Sequence, residues 1–328
     1  MTEFIYKIII LITNYILKSY MKLQQLRCVY EIVNSNFNVS NAAEKLHTSQ
    51  PGVSKQIQLL EDEVKVKIFV RNGKRLVGLT EPGQFVYEAI SDILKKEKNI
   101  QHISDNYSKS GEGVFTIATT HTQARYKLPE AVEWFIKKYP NIKLNIHQGN
   151  PIQVTEQVES GEADIGIATE SIGHNEKIYT LPCYQWNRIL VAPHNHPLMN
   201  LKKLISLEDL SVHPIITYDY AFTGSTSVSK VFKQAHIIPN IVLTAIDADV
   251  IKTYVNLNLG IGLIAEMAYD KYKDQDLTPI SVSHLFPSST TLLGIRKDLF
   301  IREFVFDFIG RFTGISPDHL REKLKDRS

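Results

Sequence analysis

Cysteine is nearly absent. Cys28 and Cys183 are the only two in 328 residues, which excludes a small disulfide-stapled scaffold and favours a reducing, cytosolic setting. Net charge is small as well, +2 from 37 basic and 35 acidic residues, so the chain as a whole is no polycation built for polyanions. Long hydrophobic runs are missing. The most apolar stretch, Ile8–Ile12, sits among Lys7, Asn14 and Lys18, well short of the about 20 apolar residues that a membrane-spanning helix needs. Met1–Tyr20 also lacks the basic start and small-residue cleavage site of a secretory signal. It reads as an extension outside the fold, with an amphipathic interfacial helix and a packing segment as the other readings. No membrane contact is expected. The length, at roughly 150 residues per domain, suggests two domains.

Charge is unevenly spread. Residues Met21–Thr80 carry nine Lys/Arg against five Asp/Glu, whereas Glu81–Ser328 carries 26 against 29. A basic front and a mildly acidic back suit one domain that touches nucleic acid and one that does not. Within the front, Leu23, Leu26, Val29/Tyr30 and Val33 recur at helical steps, predicting a helix over Lys22–Asn34. Ser40 is placed to cap a short second helix through Leu46, whose small Ala42 and Ala43 allow another helix to cross closely. Ser49 suits the N-cap of a third helix with Pro51 in its first turn. There Val53, Ile57 and Leu60 face inward, leaving Gln50, Ser54, Lys55 and Gln58 outside. This is helix-turn-helix geometry over Val39 to Gln58, its second helix shaped for a major groove. Gln can pair with adenine, Lys with guanine and Ser with either. Arg71, Lys74 and Arg75 surround an Asn72-Gly73 turn and read as a basic wing lying along phosphates. The expected DNA-contacting set is therefore Ser49, Gln50, Pro51, Ser54, Lys55, Gln58, Arg71, Lys74 and Arg75. The plainer alternative is that these residues form solvated faces.

After Glu81-Pro82-Gly83, apolar residues Val86, Ile90, Ile93, Ile100 and Ile103 repeat at heptad-like steps, interrupted by Glu97. So narrow a stripe needs a partner helix, which makes 81–107 a linker that dimerises, or else packs on its own domain. From Val114 onward strands and helices alternate in two rounds, predicting two α/β lobes of mostly parallel sheet joined by two crossings, with a ligand between them at the strand ends. The first round reads as strands at Val114–Thr119, Ile142–His147 and Ala163–Thr169 around helices at Leu128–Tyr139 and Ile152–Ser160. The second reads as strands at Ile215–Tyr218, Ile241–Ala245 and Gly262–Ala265 around helices at Ser225–His236 and Ala248–Asn258. Thr290–Ile295 is able to cross back before a helix at Ile301–Phe312. Thr119-Thr120-His121-Thr122-Gln123 at the first strand's end would seat a carboxylate or sulfate. Thr169, Thr223-Gly224 and Trp186 occupy comparable positions, although ordinary helix caps would also favour Thr there.

Catalytic chemistry is thin. Cys183 has no base that spacing can place beside it, His194-Asn195-His196 lacks a third ligand, and Gly260-Ile261-Gly262 precedes a strand instead of following one. No enzyme activity, cofactor or metal site is expected. A helix-turn-helix ahead of a clamshell disfavours the rival reading, a solute-binding protein of a transport system.

Motifs now carry the reading further. MKLQQLR (Met21–Arg27), TSQPGVSKQI (Thr48–Ile57), LLEDE (Leu59–Glu63) and IF (Ile68–Phe69) resemble the LysR-type transcriptional regulators. ATTHTQARY (Ala118–Tyr126), HQGNP (His147–Pro151), LPCYQWNR (Leu181–Arg188), FTG (Phe222–Gly224) and DADVIKTYV (Asp247–Val255) are similar to the cysteine-regulon, CysB/Cbl-like branch of that family. The resemblance covers about Met21 to Phe312. It implies a winged helix-turn-helix at 21–80, a linker helix at 81–107, a periplasmic-binding-protein-like effector domain at 108–313 and a tail at 314–328. It further implies a cytoplasmic, tetrameric activator of sulfur-assimilation and cysteine-biosynthesis genes that binds double-stranded DNA and works with RNA polymerase. Acetylserine would be the inducer, with sulfate or thiosulfate opposing it; a regulator of sulfate-starvation or sulfonate genes is the alternative within the branch. The family's anion-site positions correspond to Thr120, Thr122, Gln123, Thr169, Trp186 and Thr223. Three departures stand out: Met1–Tyr20 has no counterpart, Asn150 replaces the Ser usual in the HQGNP position, and the tail after Phe312 reads as shorter than the family's.

Overall fold

The computed structural model describes residues 21–107, 112–201, 203–219 and 228–325, and the chain divides into two units, Met1–Gln101 and His102–Ser328. The expectations for Met1–Tyr20 and Thr223 lie outside the described residues.

The first unit is a three-helix core with a hairpin. Helices α1 (Leu23–Asn34), α2 (Val39–Lys45) and α3 (Gln50–Val64) bury Leu26, Val29, Ile32, Ala42, Ala43, Val53, Ile57 and Leu60 in one cluster. The predicted stripe of α1 is slightly out of phase: Leu23, the first helical residue, is exposed, and Cys28 and Ile32 take the inward positions. The cap of α2 is Asn38 instead of Ser40. Its side chain accepts from the backbone N–H of Ser40 and Asn41, so the helix begins two residues earlier than a Ser40 cap implies. Ser49 caps α3 by accepting from the Gly52 N–H at 3.2 Å, as its position predicts. Strands β1 (Phe69–Asn72) and β2 (Arg75–Leu79) form the wing, with Gly73 at φ +61° in the turn. Glu61 anchors it. Its buried carboxylate accepts from the N–H groups of Ile68 at 2.9 Å and Phe69 at 3.3 Å and from Lys67 Nζ at 3.0 Å. Burial alone would raise this carboxyl, but the Lys67 and backbone hydrogen bonds outweigh it and hold the group below its ordinary value.

Helix α4 (Glu81–Tyr107) is 27 residues long, roughly 40 Å at about 1.5 Å per residue. Gly83 at its start has no room for a side chain, since a Cβ would lie 2.1 Å from the Ile68 carbonyl oxygen. The apolar stripe divides. Val86, Ile90 and Leu94 pack against the helix-turn-helix core, whereas Ile93, Ile100 and Ile103 are exposed. Glu97, which breaks the stripe, is held by Arg27 at 3.0 Å.

The second unit contains two five-stranded sheets. Its strands are β3 (Gly113–Thr119), β4 (Ile142–Gln148), β5 (Ile165–Thr169), β6 (Ile178–Trp186), β7 (Arg188–Pro193), β8 (Ile215–Tyr218), β9 (Ile241–Ala245), β10 (Ile261–Ala265), β11 (Leu277–Ser281) and β12 (Ser289–Arg296). One sheet runs β4-β3-β5-β12-β6 and the other β11-β7-β10-β8-β9. Each has a parallel trio made by βα units, as expected, plus two antiparallel strands. The antiparallel strands arise where the chain changes sheet. Asn187 alone links β6 of one sheet to β7 of the other, and the chain returns between β11 and β12.

Helices α5 (His121–Tyr126), α6 (Leu128–Lys138) and α7 (Pro151–Ser160) flank the first sheet. The single helix expected at Leu128–Tyr139 is preceded by the short α5, with Pro129 in the first turn of α6. Asn150 caps α7 through a reciprocal bond with Gln153, so the departure from Ser keeps the cap. Around the second sheet lie α8 (Leu207–Ser211), α9 (Val228–Gln234) and α10 (Ala248–Asn256). Gly262 packs a strand against α10 and β7, where a Cβ would approach Val191 to 2.7 Å and Val255 to 2.9 Å. Helices α11 (Glu303–Thr313) and α12 (Pro317–Lys325) close the first lobe. The segment read as a tail thus folds back, burying Leu320 and Leu324 in the core with Phe115, Phe135 and Phe308.

Candidate functional site

In the first unit Ser49, Gln50, Pro51, Ser54, Lys55 and Gln58 lie on the first turns and outer face of α3, open to solvent. Arg71, Lys74 and Arg75 are exposed on and around the hairpin turn. Arg71 lies 4.0 Å from Glu61, at the outer limit of an ion pair. The same unit therefore carries a polar helix face with one cation, Lys55, and a basic two-stranded ribbon.

In the second unit a cleft opens between the two sheets. It is lined by Thr120, Thr122, Gln123, Thr169 and Trp186, five of the six residues expected there, together with Arg188, Tyr218, Ile246, Ala265 and Ser289. Thr120 occupies the N-cap position of α5 without capping it through its hydroxyl. Thr122 hydrogen-bonds the buried Tyr218 phenol, which also accepts from the Ala265 N–H at 3.1 Å. Burial pushes that phenol's pKa up, so it stays neutral. Gln123 is almost fully buried. Its amide donates to Thr291 Oγ1 at 3.2 Å and accepts from the Tyr184 hydroxyl, which fixes its orientation. Thr169 ends β5, paired in register with Thr291. Trp186 ends β6, and its buried Nε1–H has no partner among the described residues. An orphan donor in a polar cleft is a group waiting for an acceptor. The cleft lining contains no carboxylate among the described residues.

Arg188, Tyr218, Ile246, Ala265 and Ser289 were not expected in the cleft from sequence. Arg188 alone carried a signal, as the one charge opening an otherwise apolar strand next to Trp186. The others lie at strand ends or just past one, which nothing local distinguishes.

Helix α5 also grips the second lobe. Arg125 Nε lies 2.7 Å from Asp249 Oδ2, and the Tyr126 hydroxyl donates to Asp249 Oδ1 at 2.7 Å. Lys252 Nζ donates to Tyr126 at 3.3 Å and to Asp274 at 2.8 Å. Burial would raise the Asp249 carboxyl, but the Tyr126 hydrogen bond and the Lys252 and Arg125 charges hold it low. His121, Asp247 and Asp249 bring ligand-type atoms within 4.8 Å of one another. The carboxylates are already engaged, Asp249 with Arg125 and Tyr126 and Asp247 as the cap of α10, so the group reads as an inter-lobe contact and not as a cation seat.

The residues considered for catalysis have packing roles. Burial pushes the Cys183 thiol up to about 12, leaving it protonated and unreactive at neutral pH. His194 lies against Thr278 and the Gln275 carbonyl, and His196 accepts from the Leu198 N–H.

The match to known families follows this division. Residues 23–84 match the bacterial regulatory helix-turn-helix protein model of the lysR family, and residues 108–313 match the LysR substrate binding domain. The chain belongs to the LysR family. It is 46% identical over 302 residues to the HTH-type transcriptional regulator SsuR of Burkholderia cenocepacia, covering 92% of this chain and 96% of that protein. It is 45% identical over 293 residues to the HTH-type transcriptional regulator CysB of Haemophilus influenzae, covering 89% and 90% of the two chains. The crystal structure of the cofactor-binding domain of the Cbl transcriptional regulator superposes with a TM-score of 0.62 at 37% identity, covering 66% of this chain and 95% of that one. As a LysR-family protein the chain is a transcriptional regulator with a helix-turn-helix and a two-sheet effector domain, the fold expected from its sequence. No described helix is long and apolar enough to cross a membrane.

Proposed function

We propose that this LysR-family chain is an effector-gated regulator of sulfur-assimilation and cysteine-biosynthesis genes, working in the cytoplasm as a dimer or tetramer. The observation that carries the reading is the cleft between the sheets. It is lined by threonines, an oriented glutamine, a tryptophan with an orphan indole N–H and a buried arginine, with no carboxylate in its described lining. Such a lining suits an oxyanion or carboxylate. Acetylserine, sulfate and thiosulfate are the proposed occupants. Thr120, Thr122, Gln123, Thr169, Trp186 and Thr223 are the proposed effector-binding residues.

The DNA-binding part is 21–80. Gln50, Ser54, Lys55 and Gln58 read base edges, and Ser49, Pro51, Arg71, Lys74 and Arg75 lie along the backbone. Linker 81–107 pairs with a second copy through Ile93, Ile100 and Ile103, whose exposure leaves an apolar seam to be covered. Two copies then read two half-sites about one helical turn apart. Effector binding in 108–313 favours one lobe arrangement, and the resulting change in assembly geometry alters contact with promoter DNA and RNA polymerase.

Two variants test this. Gln50→Ala with Lys55→Ala abolishes the footprint on a sulfur-gene promoter, the folded state being checked by circular dichroism; an unchanged footprint overturns the groove assignment. Thr122→Ala weakens sulfate or acetylserine binding measured by calorimetry; unaltered affinity removes Thr122 from the site.

A further inference from the structure

Arg188 and Ser289 stand at the two places where the chain passes between the sheets. Arg188 opens β7 immediately after the Asn187 link, and Ser289 opens β12, in register with Trp186. Arg188 Nη1 donates to Ser289 Oγ at 3.3 Å, and the guanidinium lies over the Trp186 ring, 5.1 Å from its centroid. Both residues line the cleft, and both are buried. Arg188 is 3% exposed, so its charge is screened by little water and acts strongly on whatever occupies the cleft. Beside it lies the Trp186 Nε1–H that lacks a partner among the described residues. A cation from the second sheet and an orphan donor from the first thus lie side by side in the cleft lining.

From this we infer that Arg188 is the charge-selecting ligand of the cleft, oriented by Ser289 and Trp186, and that an anionic effector must reach it across the two inter-lobe crossings. The inference rests on the reading of the cleft as the effector site. It adds a residue that makes the site select for negative charge, where hydroxyls and amides alone would also accept neutral polar molecules. A guanidinium fork matches a tetrahedral oxyanion or a carboxylate with two parallel donors, which lysine's single ammonium does not. Because the fork is anchored on both crossings, the anion occupies the hinge itself and favours one lobe arrangement directly.

The experiment is calorimetric titration of the full chain with sodium sulfate, sodium thiosulfate and O-acetylserine, using wild type, Arg188→Lys, Arg188→Gln and Ser289→Ala. Thermal unfolding checks each variant's fold. The expected order of sulfate affinity is wild type, then Arg188→Lys about 10-fold weaker, then Arg188→Gln about 100-fold weaker, as removal of a charge-assisted hydrogen-bond donor implies. Ser289→Ala, which frees the fork without removing its charge, weakens binding by about 5-fold. Sulfate affinity in Arg188→Gln equal to wild type overturns the inference while leaving the cleft reading intact. Equal losses in Arg188→Lys and Arg188→Gln also overturn it, because they assign Arg188 a packing role against Trp186. If Arg188→Gln is unfolded, the Lys and Ser variants still decide the matter. Failure of wild type to bind any of the three probes defeats both the inference and the cleft reading.

Discussion

Replacing Asp249 by Asn probes how the effector domain links its ligand to its shape. Asp249 is at the centre of the inter-lobe contact, ion-paired with Arg125 at 2.7 Å and accepting from the Tyr126 hydroxyl at 2.7 Å, with Lys252 at 3.4 Å on its own helix. A charge-assisted hydrogen bond contributes about 1.5–3 kcal/mol when buried. Here the Asp249 side chain is 31% exposed and that of Arg125 51% exposed, so solvent screening reduces the pair together to about 2 kcal/mol. Asn keeps the shape and one acceptor but loses the charge, and about half of that is expected to disappear. Denaturation of the full chain should then give a coupling of about 1 kcal/mol between Asp249→Asn and Arg125→Gln in a double-mutant cycle. Because α5 carries Thr122 and Gln123 as well as Arg125 and Tyr126, the same loss loosens the cleft. Apparent sulfate affinity should fall by about 5- to 10-fold, and in any case by no more than the about 30-fold that 2 kcal/mol allows. Zero coupling together with unchanged sulfate affinity would refute the idea that this contact holds the two lobes in the ligand-binding arrangement.

Three further outcomes follow from named groups. The Glu61 carboxyl is held below its ordinary value in the folded protein, so its contribution is present above the unfolded carboxylate pKa and is lost as pH falls through the lower, folded value. Glu61→Gln should therefore cost about 1 kcal/mol at pH 7 and little near pH 3, read by denaturation at each pH; a cost independent of pH would contradict the wing anchor. Promoter binding should weaken steeply with salt, and replacing Arg71, Lys74 and Arg75 together by Ala should flatten the log–log slope by about 0.9 for each phosphate left unneutralised. An unchanged slope removes the wing from the DNA. Cys183, pushed up to about 12, should resist alkylation by iodoacetamide at pH 7.5 in the folded protein and react once it is denatured. Rapid labelling of the folded chain would reopen a nucleophilic role.

Much of the architecture could be read from spacing because the physical causes were local. Ala42 and Ala43 announced a close helix crossing, Ser49 and Pro51 announced a helix start, and the alternation after Val114 announced two rounds of βα units. The strands that escaped share a cause. Strand β6 contains Pro182 and β11 contains Pro279, and proline argues against a strand when only sequence is in view. Both strands are sheet edges, where one side of the backbone has no neighbour and a missing N–H is tolerated. Helix α12 was hidden differently: only Leu320 and Leu324 mark its buried face in a highly charged segment. In the cleft, the threonines were legible because they end strands before helix starts. Tyr218 and Ser289 were not, since they join the cleft only through the packing of distant strands. The linker stripe shows the same limit, because spacing alone could not divide Ile90, which faces the helix-turn-helix core, from Ile100, which faces solvent.

The central claim is that one chain couples promoter recognition to a small anionic effector. The most direct test is fluorescence anisotropy of the purified full chain with a duplex from a sulfur-assimilation promoter at modest ionic strength, titrated with acetylserine, sulfate and thiosulfate in turn. Saturable binding that at least one of these molecules shifts, with the shift lost in Thr122→Ala, is the predicted result. A chain that ignores the duplex in every one of these titrations would contradict the account.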